Sequence, residues 1–249
     1  MNDPLLLFAA GLIAGTMNAV AGGGSFVSLP ALIFSGVPSV AANASSTFAL
    51  FPASFASAWA YRHDYRPFPA VSLTAMLIAS VLGGLIGAVL LLSTPSSDFD
   101  AIVPWLLLVG SIAFGFGPRI SRALSERFRA GRTTMLITQL AVGIYAGYYG
   151  GAAGLMMLAA WGLFGLSDLK AMNATRTLLV GSANAVAVGC FVVAGTIWWP
   201  QALLMLVAAV LGGYGGARLA SHLNPAMTRA VITVFNFGIT SAFFWRAYA

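Results

Sequence analysis

Arg176 carries the clearest chemistry in this chain. It stands in Asn173-Ala174-Thr175-Arg176-Thr177, one turn inside an apolar run, where a charge is costly and usually functional. A guanidinium holds a tetrahedral or planar oxyanion through two parallel hydrogen bonds, so the chemistry on offer is anion binding. Asn173, Arg176, Thr177 and Asn184 fall at i, i+3, i+4 and i+11, on one face of a helix. Asn43, Ser46, Thr47 and Ser54 repeat that spacing from Asn43-Ala44-Ser45-Ser46-Thr47 onward. Two polar stripes at equal offsets are expected to face a shared cavity. Plainer explanations stand beside this one. Ser, Thr and Asn hydrogen-bond between membrane helices, an Asn can cap a helix, and an arginine one turn in can snorkel to the interface. Lys170, nearer the loop, reads as an interfacial charge.

Two glycine-rich breaks must position these stripes. Ala21-Gly22-Gly23-Gly24-Ser25 interrupts an apolar run from Leu5 to Phe34, and Gly147-Tyr148-Tyr149-Gly150-Gly151-Ala152-Ala153-Gly154 interrupts the second half. Each glycine in a helix interior costs roughly 1 kcal/mol relative to alanine. Lipid tolerates the freed backbone only where it is buried in protein or lines a cavity. Glycine-interrupted segments at matching places in two halves point to a transporter's binding site. Each return arm then begins with a helix N-terminus whose amides and positive dipole end point inward. Ser25 or Ser28 is expected to cap the first arm, with Pro30 in its first turn or kinking it. Gly22, Gly23, Gly24 and Gly154 let backbone approach a ligand, unless they serve close helix packing. Packing is the preferred reading for Gly83, Gly87, Gly212 and Gly216.

Composition sets the solvent. Of 249 residues, 59% are hydrophobic and 7% charged, against about 25% charged in soluble domains. The mean hydropathy is +0.90. The apolar runs are too continuous for the alternating strands of an outer-membrane barrel, and Met1-Asn2-Asp3-Pro4 lacks the basic region of a cleavable signal peptide. The single cysteine, Cys190, rules out an intramolecular disulfide and reads as packing. The net charge of +6 does not signal nucleic acid, because five of the twelve basic residues lie in one loop.

Apolar segments fall at about 5–20, 26–35, 43–61, 69–92 and 101–116, then 135–149, 155–166, 174–194, 200–219 and 228–245. A span needs about 20 residues, so the first two segments of each half read as a hairpin of short helices meeting at its glycines. The other three in each half are long enough to cross, with 101–116 marginal. Arg119, Arg122, Arg127, Arg129 and Arg132 place the connection between halves in the cytoplasm. Asp98 and Asp100 then lie in an outer loop, Arg62-His63-Asp64-Tyr65-Arg66 lies inside, and Trp198 and Trp199 lie at the outer interface. Arg246 falls outside, against the trend. An odd number of crossings per half gives the two halves opposite orientations. Gly11 and Gly15 match Gly143 and Gly147 at a separation of 132. Asn43-Ala44 matches Asn173-Ala174 at 130, and Gly83, Gly84 and Gly87 match Gly212, Gly213 and Gly216 at 129. The expected architecture is an inverted-topology repeat.

The absences narrow the function. Asp3, Asp64, Asp98, Asp100, Glu126 and Asp168 all fall in loops or ends, as do His63 and His222. No paired acid, zinc-spaced ligand set or activated serine is visible, so an enzyme is not expected. No phosphate-binding loop argues for an ATP-driven pump, and no residue in a span is a proton carrier.

Gly11-Leu12-Ile13-Ala14-Gly15, the run Gly22-Gly23-Gly24 followed by Pro30, and the repeated Asn-Ala-[Ser/Thr] element resemble the TauE/SafE family of sulfite and organosulfonate exporters. The resemblance covers almost the whole chain. It implies transport of small sulfur-containing or other organic anions across the bacterial inner membrane. By position the matching elements are Gly22, Gly23, Gly24, Asn43, Ser45, Ser46 and Thr47, and Gly154, Asn173, Thr175 and Arg176. The second break departs from a plain glycine triplet, since Leu155 and Met156 follow Gly154.

The expectation is therefore an all-α integral membrane protein of two inverted repeats, each a re-entrant hairpin plus three transmembrane helices. Residues 1–118 form the first repeat, 119–133 a basic cytoplasmic linker and 134–249 the second repeat. The function expected is secondary transport, as an exporter of sulfite, short organosulfonates or organic acids, with an anion channel or a non-transporting assembly subunit as alternatives. The expected substrate-binding set is Gly22, Gly23, Gly24, Ser25, Asn43, Ser45, Ser46, Thr47, Gly154, Asn173, Thr175, Arg176, Thr177 and Asn184. No catalytic residue, metal site or cofactor is expected. The partners are a small anion and the lipid bilayer, with no nucleic acid. The copy number is open, a homodimer being one state it allows.

Overall fold

The structure is a computed structural model. It describes residues 4–68, 71–124, 131–166, 168 to 220 and 225–249, without the side chains of 20, 21, 60, 118, 121–124, 169, 216–220, 225, 226, 228 and 229. Asp3, Glu126, Arg127, Arg129, Ser167 and His222 lie outside the described residues, as do the side chains of Arg122, Arg218 and Arg229 and the packing of Gly216.

The described residues form ten helices and no strand: α1 (Pro4–Ala21), α2 (Ser25–Phe34), α3 (Ser39–Ala60), α4 (Leu73–Ser93), α5 (Ser96–Leu124), α6 (Arg132–Tyr148), α7 (Ala153–Leu163), α8 (Leu169–Val193), α9 (Trp199–Ala220) and α10 (Pro225–Tyr248). The chain is an all-α membrane protein. Among the described residues four stretches are long and apolar enough to cross a bilayer, in α4, α5, α8 and α10. The apolar part of α5 is Ser96–Gly117, so the marginal segment of the sequence gains a turn at its start. At 22 residues α3 is long enough, but its serines, Asn43 and Thr47 make it too polar to stand among them.

Each broken hairpin is set by one turn. Helix α1 stops where Gly22 takes φ +74 and α6 stops before Gly150 at φ +78, a conformation costing a side-chain-bearing residue about 1–2 kcal/mol. The Gly22 amide closes α1 by bonding the carbonyls of Met17 and Asn18 at 3.1 and 2.9 Å. The return arms α2 and α7 have 10 and 11 residues, about half a span.

Several local expectations change. Neither Ser25 nor Ser28 caps α2, whose first amides receive no side chain; Ser28 Oγ instead donates back to the Gly24 carbonyl at 3.2 Å. Pro30 is not in the first turn but inside α2. Asn43 and Asn173 cap nothing, because α3 starts at Ser39 and α8 at Leu169. The cap of α8 is Asp168, whose Oδ1 accepts the amides of Lys170 and Ala171 at 3.0 and 3.1 Å. Arg176 is therefore two turns inside its helix, not one. Asp98 and Asp100 lie in the opening of α5 rather than in a loop, where carboxylates suit the helix dipole.

Glycine-mediated packing dominates the interior. Helix α1 packs along α9, and α6 along α4, as the most extensive contacts in the molecule. A Cβ on Gly15 would strike the backbone of Ala209, and one on Gly212 the backbone of Leu12. The other pair does the same: Gly143 meets Ser80, Gly83 meets Leu140, and Gly87 meets Ile144. Close packing is thus the role of Gly83, Gly87 and Gly212. Thr16 Oγ1 adds a hydrogen bond to the Gly212 carbonyl at 2.9 Å.

These contacts pair the hairpins at an offset one turn from that of the sequence match. Leu12 and Leu140, Gly15 and Gly143, and Gly22 and Gly150 occupy like places, 128 positions apart rather than 132. Small residues recur every four positions along α1 and α6, so sequence similarity survives a slip of one turn; the positive-φ glycines share the offset of 128. Helix directions follow from side-chain contacts. Trp105 Nε1 donates to Tyr248 Oη at 3.0 Å, Ser111 and Thr240 hydroxyls pair at 3.1 Å, and Phe116 meets Phe237. Hence α5 and α10 are antiparallel. Ser45 Oγ accepts the Trp198 amide at 2.9 Å while Gly181 abuts Ser54, so α3 and α8 are antiparallel too.

Candidate functional site

The two breaks meet. Gly151 lies against Ser25, and Gly150 against Thr47 Oγ1. Around this meeting point is a cavity of about 80 Å³. An ordered water needs roughly 10–15 Å³ of such space, so it has room for several waters or one small anion.

Seven residues of the sequence-derived set line it: Gly22, Ser25, Thr47, Gly154, Arg176, Thr177 and Asn184. Ser54, the fourth member of the first stripe, lines it as well. The wall comes from both hairpins and both stripes, because α3 and α8 cross the breaks with their polar faces inward. The guanidinium of Arg176 sits between the hairpins: a Cβ on Gly22 would lie 3.2 Å from Nη1, and one on Gly154 only 3.0 Å. Asn173 is not in the wall. Its Oδ1 accepts the Arg176 Nε–H at 2.7 Å and turns the Nη groups toward the glycines.

The remaining members of the set serve the framework around the cavity. Asn43 Nδ2 donates to the Tyr148 carbonyl at 2.9 Å, tying α3 to the end of α6. Ser46 pairs with Ser28 at 2.6 Å, and Ser45 holds the Trp198 amide. Thr175 donates to the Ala171 carbonyl within its own helix. Gly24 packs against the Ala14 carbonyl, and Gly23 against Met17 and Phe26. Asn18, Ser57 and Tyr61 line the cavity and were not anticipated. Ser57 and Tyr61 continue the first stripe at i+14 and i+18 from Asn43, a periodicity that could have been followed further. Asn18 is a lone amide one turn before a glycine break.

The electrostatics are one-sided. Among the described residues Arg176 is the one charged residue in the wall, and no carboxylate lines it. Helices α2 and α7 begin at Ser25 and Ala153, both in the wall. The Phe26, Val27 and Ser28 amides bond the Gly23 and Gly24 carbonyls, and those of Leu155 and Met156 the Ala152 carbonyl. This leaves Ser25, Ala153 and Gly154 to present amides to the cavity, with the positive dipole ends adding to the field. The buried hydroxyls differ. Thr47 and Thr177 give their protons to the Asn43 and Asn173 carbonyls, so toward the cavity they can only accept. Asn184 is 7% exposed and its Oδ1 has no partner. An unbalanced cation, inward-facing amides and room for a small oxyanion are the physical requirements of an anion site. Among the described residues no group of three His, Cys, Asp or Glu comes together.

The family model described as "Sulfite exporter TauE/SafE" matches residues 7–243. The chain is 28% identical over 242 residues to a "Probable membrane transporter protein" of Haemophilus influenzae, covering 95% of this chain and 92% of that one. It is 28% identical over 236 residues to the "Probable membrane transporter protein ORF9" of Sinorhizobium sp, covering 94% and 89%. It is 27% identical over 238 residues to the "Probable membrane transporter protein YfcA" of Escherichia coli (strain K12), covering 94% and 88%. No solved structure matches the chain.

Proposed function

The chain belongs to the TauE/SafE sulfite exporter family, and on that premise we propose that it carries a small anion, sulfite or a short organosulfonate or organic acid, across the bacterial inner membrane by alternating access. One observation carries the reading: the Arg176 guanidinium, with no carboxylate beside it among the described residues, faces the place where two helix N-termini meet. The anion would lie against Arg176 and the amides of the return arms. Ser25, Ser54, Asn18 and Asn184 would supply further contacts.

The antiparallel pairing of α3 with α8 and of α5 with α10 supports an inverted repeat. So does the matched packing of α1 on α9 and α6 on α4. A site between such halves is served from either face in turn. With the arginine-rich connection in the cytoplasm, Ser57 and Tyr61 mark the cytoplasmic mouth. An inside-negative potential drives an anion outward by about 2.3 kcal/mol per charge per 100 mV, so export requires no carboxylate relay.

Uptake of radiolabelled sulfite or a short sulfonate into proteoliposomes tests the reading. The expected result is saturable flux with counterflow by unlabelled anion. Flux that rises linearly with concentration and shows no counterflow would indicate a channel on this scaffold. No flux of any anion would leave a membrane assembly role.

A further inference from the structure

The residues around the cavity sort by the repeat. Of the sixteen described residues that line it, ten form five repeat pairs with both members present, among them Gly22 with Gly150, Thr47 with Thr177 and Ser54 with Asn184. The other six line it alone, and these include Asn18, Ser57, Tyr61 and Arg176. Their counterparts, at 128 positions on the hairpins and 130 on α3 and α8, are Ala146, Ala187, Phe191 and Ser46. None of these four lines the cavity. Ala146, Ala187 and Phe191 are 0% exposed and Ser46 is 1% exposed. The paired residues are thus shared equally by the halves, while Asn18, Ser57 and Tyr61, half-buried or exposed, line the cavity toward one opening, and Arg176 sits between the hairpins.

We propose a second mouth to the same cavity, closed in this structure, on the face where α8 ends. Ser46, Ala146 and Ala187 line it, and Phe191 plugs it from the position that Tyr61 holds at the open mouth. The inference rests on the transport reading above and adds the route of release. Its chemistry differs from that of the open mouth. Where the entry carries an amide and two hydroxyls, the closed side carries two methyl groups and a phenyl ring, and the Ser46 hydroxyl is already paired with Ser28. Ser46 stands in the place of Arg176. A small anion leaving by this route meets no cation to retain it. The cavity therefore holds its anion from the cytoplasmic side and lets it go on the other.

Cysteine accessibility tests the proposal. Cys190 adjoins Phe191 and is replaced first by alanine. Single variants Ala187→Cys, Ser57→Cys and Ala202→Cys are then placed in membrane vesicles of known sidedness and treated with a membrane-impermeant maleimide. Ala202 is as buried as Ala187, at 0% exposure, and packs in the same apolar cluster, but its repeat counterpart Leu73 does not line the cavity whereas that of Ala187, Ser57, does. Ala187→Cys is expected to react from the outer face at least tenfold faster than Ala202→Cys, and Ser57→Cys from the cytoplasmic face. Ala187→Cys reacting no faster than Ala202→Cys, while Ser57→Cys reacts, overturns the second mouth. Ala146→Cys reports on the same route if Ala187→Cys does not fold. Anion flux in the same vesicles separates the two ideas. Flux without outer labelling contradicts the second mouth alone, and outer labelling without flux of any anion contradicts the transport reading alone.

Discussion

Asn173 Oδ1 accepts the Nε–H of Arg176 at 2.7 Å, three residues along the same helix. The bond removes one of the guanidinium's five donors and fixes the direction of the rest. The Nη face is left for the cavity, with glycine backbone from both hairpins beside it.

Asn173 should therefore act through Arg176. Asn173→Ala is expected to weaken anion affinity about 3- to 10-fold, the range of an ordinary hydrogen bond, because it frees the guanidinium to turn without removing its charge. Asn173→Asp still accepts the Nε–H but adds a negative charge beside the site, and should weaken binding further. Titration of an anion-dependent shift in thermal midpoint measures both. Equal affinity in all three proteins would remove Asn173 from the site.

Gly154 and Gly22 test how closely the guanidinium is held. A Cβ on Gly154 crowds Arg176 Nη1 at 3.0 Å and makes ordinary contact with Val180 Cγ2 at 3.6 Å, so Gly154→Ala should fold normally and lower anion affinity by displacing Nη1. Gly22→Ala places a side chain at φ +74 and should lose about 1–2 kcal/mol of stability as well. Midpoints measured with and without anion separate the two effects.

Asn43 tests the framework. Its amide donates to the Tyr148 carbonyl at the end of α6, and Asn43→Ala leaves that acceptor without its partner. A loss of about 1–3 kcal/mol is expected, seen as a lower midpoint in detergent, with the anion-dependent shift retained. A normal midpoint with the shift abolished would instead make Asn43 a ligand contact.

Membrane potential provides a test of charge movement. In proteoliposomes with an imposed potassium diffusion potential, negative on the side of the Ser57 and Tyr61 mouth, efflux from that side should speed up and influx slow down. Insensitivity to potential would mean that the net charge crossing with the substrate is zero.

The sequence showed the site's charge and its two backbone breaks because those features violate local rules. Arginine in an apolar helix and consecutive glycines have few structural uses in lipid. Thr47, Thr177 and Asn184 were legible because helical periodicity alone puts them on the face of Arg176. What could not be read was the division of labour within a stripe. Asn43 and Asn173 stand in like places, yet one holds a carbonyl across helices and the other a guanidinium on its own helix. That difference lies in the residue three places on, Ser46 or Arg176, and in what each can reach. The one-turn slip between α1 and α6 was equally hidden, because glycine and alanine recur each turn along a helix that packs by close approach.

The most direct test is the thermal midpoint of the purified protein against sulfite, sulfate, sulfoacetate, taurine and acetate, for the wild type and Arg176→Ala. Specific binding raises the midpoint by mass action. At least one anion should shift the wild type in a saturable manner, and Arg176→Ala should lose that shift, corresponding to an affinity lower by roughly 10- to 100-fold. An anion-dependent shift of the same size and midpoint concentration in Arg176→Ala would contradict the account.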